Sequence, residues 1–378
     1  MKIMMSAGEA SGDMHAAAVA AEIKREYPDA DIFGMGGDNM RNAGVRIIYD
    51  IGNLGIIGVV EVIRHLSLFF KLRAFLRHAM MEEKPDVVVC VDYPGFNMKI
   101  AHVAKELGIP VVYYIAPTIW AWHKGRAKNI VHDVEHVASI FPFEAEAYRE
   151  AGARVTFVGH PLADTVKASM SYEEAMIFFG GDRVKKRILL MPGSRKNEVE
   201  KLLPAMLKAA DILTEKCECQ FFLPRAGTIS SEFIQGFLKN ASPRLDIIVT
   251  AGRIYDLMQI CTACIASSGT ATLETALMGL PTVLVYRLSA ITWFLAKHLV
   301  RVEYAGLPNI LLHKEVTPEL LQDKVTAGNI AEVVLPWLTD EVKRQENIRE
   351  LKSVRAVLGE GGAVRRTAEL ILRTAEGK

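Results

Sequence analysis

Short apolar runs in this chain repeatedly end in loops of glycine, serine or aspartate, and a helical pattern follows each time. Ile3–Ala7 reads as a strand, then a loop, then a helix from about Met14 to Glu26. Asp31–Gly34 is a second strand. The β-branched run Asp86–Val91 is another, followed by a helix over Met98–Leu107 that stops at Gly108. Val111–Ile115, His136–Ile140 and Val155–Val158 continue the series. Strand, helix, strand at this rhythm indicates βαβ units around a parallel sheet.

The series ends at Gly159-His160-Pro161-Leu162, and a helical, charge-rich stretch runs from Tyr172 to Lys186. It then restarts with strand Arg187–Met191, a helix over Glu198–Glu215, and strands at Gln220–Leu223, Ile247–Val249, Cys264–Ala266 and Thr282–Tyr286. The 378 residues therefore divide into two α/β domains, 1–165 and 166–340, with C-terminal helices over 341–378. Those helices either finish the second domain or cross back to brace the first, and a homodimer that exchanges them stays open. Charge is balanced at +1, which excludes a general nucleic-acid binder. Five scattered cysteines, including a lone Cys261–Cys264 pair, make no zinc site and fit a reducing cytoplasm. The chain opens on a strand rather than a signal peptide, and no uncharged run has the length of a spanning helix.

In a parallel sheet, ligands bind beyond the carboxyl ends of the strands. Four segments stand there. Ser6-Ala7-Gly8-Glu9-Ala10-Ser11-Gly12-Asp13 offers two glycines for close approach and helix-start amides for an anion, although it also suits a plain turn with Asp13 as cap. Asp92-Tyr93-Pro94-Gly95-Phe96-Asn97 puts a carboxylate where a general base belongs, or where a turn is capped. Pro192-Gly193-Ser194-Arg195 supplies glycine, hydroxyl and guanidinium for phosphate. Ser267-Ser268-Gly269-Thr270-Ala271-Thr272-Leu273-Glu274 ends a strand in small hydroxyl residues and begins a helix, a site for a diphosphate, with Glu274 one turn in and able to reach ribose. A further glycine loop is expected at Gly34-Met35-Gly36-Gly37. The aromatic segment Tyr113 to Arg126, with Trp120 and Trp122, suits sugar faces or acyl chains, or a core corner.

Ile63–Met80 is a basic amphipathic stretch. Leu66, Leu68, Phe69, Phe70, Leu72, Phe75 and Leu76 spread over about 220° of a helix, wider than one protein contact buries. Arg64, Lys71, Arg73 and Arg77 flank or interrupt that arc. This pattern predicts an interfacial helix on an anionic membrane.

Taken together, and with Ala116-Pro117-Thr118-Ile119-Trp120-Ala121-Trp122 and Gly306-Leu307-Pro308-Asn309, these motifs in this order resemble the lipid-A-disaccharide synthase family from residue 3 to about 315. The resemblance implies a GT-B fold of two Rossmann-like domains facing a central cleft, and a hexosyltransferase that needs no metal or cofactor. It implies transfer from UDP-2,3-diacylglucosamine to 2,3-diacylglucosamine 1-phosphate with inversion, on the inner face of the inner membrane. Asp92, Arg195 and Asn309 would be catalytic. Gly8, Glu9, Ser11, Gly12, Asp13, Gly193, Ser194, Ser268, Gly269, Thr270 and Glu274 would bind substrate. Glu9, Asp13 and His15 would be the next candidates for the base. His123-Lys124-Gly125-Arg126 departs from the family pattern and takes no role. Two other readings share parts of this pattern, a UDP-N-acetylglucosamine 2-epimerase and a non-catalytic lipid-binding protein.

Overall fold

The computed structural model describes residues 1–54, 66–117, 124–288, 303–359 and 361–377. They form two compact units. Met1–Asp164 and Leu358–Lys378 make the first, and Thr165–Val357 makes the second.

The first unit is built on a seven-stranded sheet of β1 (Lys2–Ala7), β2 (Asp31–Gly36), β3 (Arg46–Asp50), β4 (Val87–Val91), β5 (Val111–Tyr114), β6 (His136–Ser139) and β7 (Val155–Phe157). The order is β3-β2-β1-β4-β5-β6-β7, every pairing parallel. The second holds β8 (Lys186–Met191), β9 (Cys219–Pro224), β10 (Ile247–Thr250), β11 (Ala263–Ser267), β12 (Thr282–Tyr286) and β13 (Glu319–Leu321). Its order, β10-β9-β8-β11-β12-β13, repeats the first and is again wholly parallel. Each sheet reverses direction of travel between its first and fourth strands. That switch point is where two neighbouring loops part and leave a crevice.

Both faces of each sheet are covered, so successive residues of a central strand enter different cores. Ile188 and Leu190 of β8 join one cluster with the Lys196–Thr214 helix, while Leu189 joins another with Phe179 and Leu257. Strands β3 and β13 lie at sheet edges, half exposed, and lack the continuous apolar run that marks the central strands.

The segment 341–378 divides between the units. Helix Glu341–Leu358 belongs almost wholly to the second, and helix Ala363–Ala375 packs on the first, against helix Ala10–Glu26 and strands β4 to β6. Its buried stripe is Ala363, Thr367, Ala368, Ile371 and Leu372. The Asp164 carboxylate accepts from the Gly362 and Ala363 amides, so an acidic group closes the positive end of the helix. Arg366 donates to the Val158 carbonyl at 2.8 Å.

Helix Leu66–Glu83 corrects part of the amphipathic reading. Leu72, Leu76 and Met80 are buried against Phe96 and Ile100, and Leu68 and Phe69 are partly buried on the same core. The outer face carries Phe70, Phe75 and Met81, 61%, 44% and 50% exposed, among Lys71, Arg73 and Arg77. The arc is wide because two faces of the helix are apolar, one inside and one outside. Arg64 lies outside the described residues. Among the described residues no helix is long and apolar enough to cross a membrane.

Candidate functional site

In the first unit, the loops after β1 and β4 flank the switch point. Both expected loops are shorter than their motifs. Helix Ala10–Glu26 takes in Ser11, Gly12 and Asp13, and helix Pro94–Glu106 takes in Gly95 to Asn97. Glycine is required at Gly8, where a Cβ would stand 2.1 Å from the Tyr93 ring. Tyr93 thus lies directly on the first loop, and burial, with a smaller contribution from the nearby charge of Glu9, raises its phenol pKa. Ser11 is exposed on the first turn.

Asp92 follows β4 directly. It and Tyr93 both adopt left-handed backbone, with φ of 50° and 51°. Such strain, about 1–3 kcal/mol per residue, persists only where the surroundings hold it. Here the Asp92 amide donates to the Tyr114 carbonyl, and its carbonyl accepts from Asn97 Nδ2 at 2.8 Å and from Tyr113 Oη at 3.0 Å. Asn97 is fully buried and also donates to the Ser6 and Val91 carbonyls, while Ser6 Oγ donates to Asn97 Oδ1. One amide side chain therefore ties the ends of β1 and β4 together. The Asp92 carboxylate is half-buried and makes no hydrogen bond among the described residues. It raises the pKa of His15, which burial lowers more strongly. His15 sits edge-on to Tyr114. Nearby His160 is held neutral, its pKa driven to about 3 by burial and by His15. Its Nδ1 accepts from the Leu162 amide, which leaves the ring proton on Nε2.

Asp13 is 2% exposed and caps a helix other than its own. Its carboxylate accepts from the amides of Gly37, Asn39 and Met40 at the start of helix Asp38–Asn42, and from Asn39 Nδ2. The glycine loop expected over Gly34 to Gly37 is instead the end of β2, because β2 continues to Gly36. Tyr113 and Tyr114 are interior residues of β5. Trp120 and Trp122 fall outside the described residues.

In the second unit, the loops after β8 and β11 line one cleft of about 430 Å³. Gly193, Ser194, Arg195, Ser268, Gly269 and Thr270 all border it. Gly269 begins helix Thr270–Leu277 without a side-chain cap, so no side chain of that residue takes up the first amides of the helix. Arg195 starts helix Lys196–Thr214, with its side chain 80% exposed.

Glu198 organises the first of these loops. Its carboxylate accepts from the amides of Ser194 and Arg195 and pairs with the Arg195 guanidinium at 3.1 Å. Gly193, at φ +111°, admits it, since a Cβ there would lie 2.4 Å from Glu198 Oε2. The spacing Arg195-x-x-Glu198, a capping-box interval, was its available signal. Arg225, just past β9, also borders the cleft, and its guanidinium donates to the Ile229 carbonyl. Its only sequence signal was its place at the end of a strand.

Glu274 lies one turn into the helix, behind the cleft lining. Burial raises its pKa, and the hydrogen bond from Tyr255 Oη, at 2.8 Å, opposes that rise. Asn309 lies elsewhere in the second unit and is fully buried. Its Nδ2 donates to the Thr317 carbonyl and to Glu319, and its Oδ1 accepts from the amides of Val316 and Thr317. All four of its hydrogen-bonding positions are occupied within the fold.

The model of the family described as lipid-A-disaccharide synthetase matches residues 3–372. The lipid-A-disaccharide synthase of Geobacter metallireducens is 41% identical over 372 residues, covering 98% of this chain and 96% of that protein. That of Nitrosococcus oceani is 40% identical over 377 residues, covering 100% and 97%. Among solved structures, UDP-GlcNAc 2-epimerase from Neisseria meningitidis superposes with a TM-score of 0.69 at 13% identity, over 99% of this chain and 100% of that one. The glycosyltransferase of kitacinnamycin gives 0.67 at 13% identity, over 99% of each. At that identity the structural likeness speaks for the GT-B fold alone.

Proposed function

Because the chain belongs to the lipid-A-disaccharide synthetase family, we propose that this glycosyltransferase of lipid A biosynthesis joins UDP-2,3-diacylglucosamine to 2,3-diacylglucosamine 1-phosphate. The acceptor 6-hydroxyl attacks the anomeric carbon as the bond to UDP breaks. A β-1,6-linked disaccharide 1-phosphate and UDP result. The family match over nearly the whole chain carries this reading, and it outweighs both the epimerase and the non-catalytic lipid binder.

Asp92 takes the proton from the acceptor hydroxyl. An inverting transfer needs one base opposite the leaving group, as in inverting glycosidases. A carboxylate with its main chain fixed on three sides and its oxygens unengaged among the described residues suits that task. The first unit takes the acceptor, with Gly8, Glu9 and Ser11 at its edge. Gly12 and Asp13 shape that edge from within.

The second unit takes the nucleotide sugar. Arg195, with the amides and hydroxyls of Ser268 to Thr270, carries the charge that develops on the leaving diphosphate. Fixed donors supply that charge stabilisation without a metal. Glu274, held by Tyr255, accepts from ribose hydroxyls. Asn309 acts as a positioning residue, because its polar atoms are spent on the segment from Val316 to Glu319.

Phe70, Phe75 and Met81, set among Lys71, Arg73 and Arg77, rest on the anionic inner face of the inner membrane. The deciding experiment incubates the protein with UDP-2,3-diacylglucosamine, with and without acceptor. UDP release that requires the acceptor is the expected result. Conversion of UDP-N-acetylglucosamine at C2 would instead mark an epimerase, and lipid binding without turnover a carrier.

A further inference from the structure

At the amino edge of the first sheet, away from Asp92, two helices end side by side. His102 lies one turn before the end of helix Pro94–Glu106, and His132 and Asp133 close helix Lys124–Asp133. One ligand atom from each of the three lies within 4.8 Å of the others. His102 Nδ1 stands 3.0 Å and His132 Nδ1 2.7 Å from the same oxygen, Asp133 Oδ1. Four-coordinate zinc, with ligands at about 2.0–2.1 Å, sets neighbouring donor atoms about 3.3 Å apart, so small rotations of two exposed imidazoles would admit an ion.

We propose that His102, His132 and Asp133 form a binding site for a divalent transition metal of the zinc class, joining the ends of these two helices.

Charge argues the same way. The Asp133 side chain is only 7% exposed and sits at a helix carboxyl end, where the macrodipole already disfavours an anion. Both imidazoles already converge on this carboxylate, and a divalent cation held between them would bring it two positive charges. The donor set of two imidazoles and one carboxylate suits zinc, nickel or copper rather than magnesium or calcium. The Glu106 carboxylate lies 3.7 Å from His102 Nε2, the ring nitrogen not turned to Asp133. The site is independent of the sugar chemistry.

The test is titration of the metal-free full-length protein with Zn²⁺ alone, followed calorimetrically and by thermal midpoint. One equivalent should bind in the micromolar range or tighter and raise the midpoint. His102→Ala and His132→Ala, both at exposed positions, should each weaken binding at least tenfold and abolish the rise. Cys217→Ser/Cys219→Ser should leave both unchanged, because those sulfurs, 3.5 Å apart, are the competing soft ligands. Calcium and magnesium should not compete. Absence of uptake, or uptake unaltered in both histidine variants, would show the cluster to be hydrogen-bonded only and overturn the proposal.

Discussion

The carboxyl edge of the first sheet is closed by its own hydrogen bonds, while that of the second is left open. Both edges grow from the same strand order, so topology is not the cause. In the first unit Asn97 and Asp13 are buried and bind neighbouring loops, and two consecutive left-handed residues are held under them. In the second unit Arg195 is largely exposed, and hydroxyls line a cleft. A base must be held at one angle to one hydroxyl. A diphosphate needs several donors that stay available until it arrives. Rigidity serves the first task, and exposed donors serve the second.

The largest effect is expected at the closed edge. Asp92→Asn keeps the shape and the main-chain bonds but cannot take a proton. Its kcat should fall roughly 100-fold or more with UDP affinity unchanged. More than a tenth of parental turnover would move the base elsewhere, His15 first. At the open edge, Arg195→Ala should lose at least ~2 kcal/mol of transition-state stabilisation, a drop of about thirtyfold or more in rate. Near-normal turnover in a folded variant would mean that Glu198 keeps Arg195 as structure, and the contrast between the edges would fail.

Asn309→Ala sharpens the comparison from inside the open unit. It strands two amides and a carbonyl in the interior, so it should cost about 2–4 kcal/mol of stability. The fraction that remains folded should keep a KM near the parent's. A stable variant with kcat alone reduced would instead give Asn309 a direct part in the chemistry.

Helix Leu66–Glu83 allows the next test. Phe70→Ser/Met81→Ser alters only the outer face, and it should weaken binding to anionic vesicles roughly tenfold while the unfolding midpoint stays put. Leu72→Ser/Leu76→Ser should instead lower the midpoint sharply, because those side chains fill the core. Equal vesicle binding by the outer-face variant would remove the membrane role from this face.

The smallest effect belongs to Tyr255→Phe. Burial already raises the Glu274 pKa, and the lost bond no longer opposes it. As pH falls, Glu274 protonates and stops accepting from ribose, so KM for the nucleotide sugar should rise a few-fold and rise further on the acid side. A KM without pH dependence would detach Glu274 from the nucleotide.

Much of this was legible in the chain itself. Central strands such as Val87–Val91 announce themselves because they are buried on both faces and must be apolar throughout. The loops after β1, β4, β8 and β11 were legible because glycine, hydroxyl and acidic residues cluster where strands end. Edge strands β3 and β13 were not, since one side of each needs no apolar partner. The sequence pattern starts two helices at Met14 and Met98, whereas they begin at Ala10 and Pro94, because Ser11, Gly12, Asp13 and Gly95 read as loop although their backbone is helical.

Local pattern, then, determined the parallel sheets, the two-unit division and the loops that carry chemistry, because each depends on residues close together in sequence. Tertiary structure decided which polar side chains stay available. Asn97 is spent on Ser6, Asp13 on Gly37 and Asn39, and Asn309 on Thr317 and Glu319, each across 8 to 91 positions. The same holds for Leu72 and Phe70, both apolar on one helix yet one inside and one outside. Burial and hydrogen-bond partners are properties of what folds against a residue, and no local window contains them.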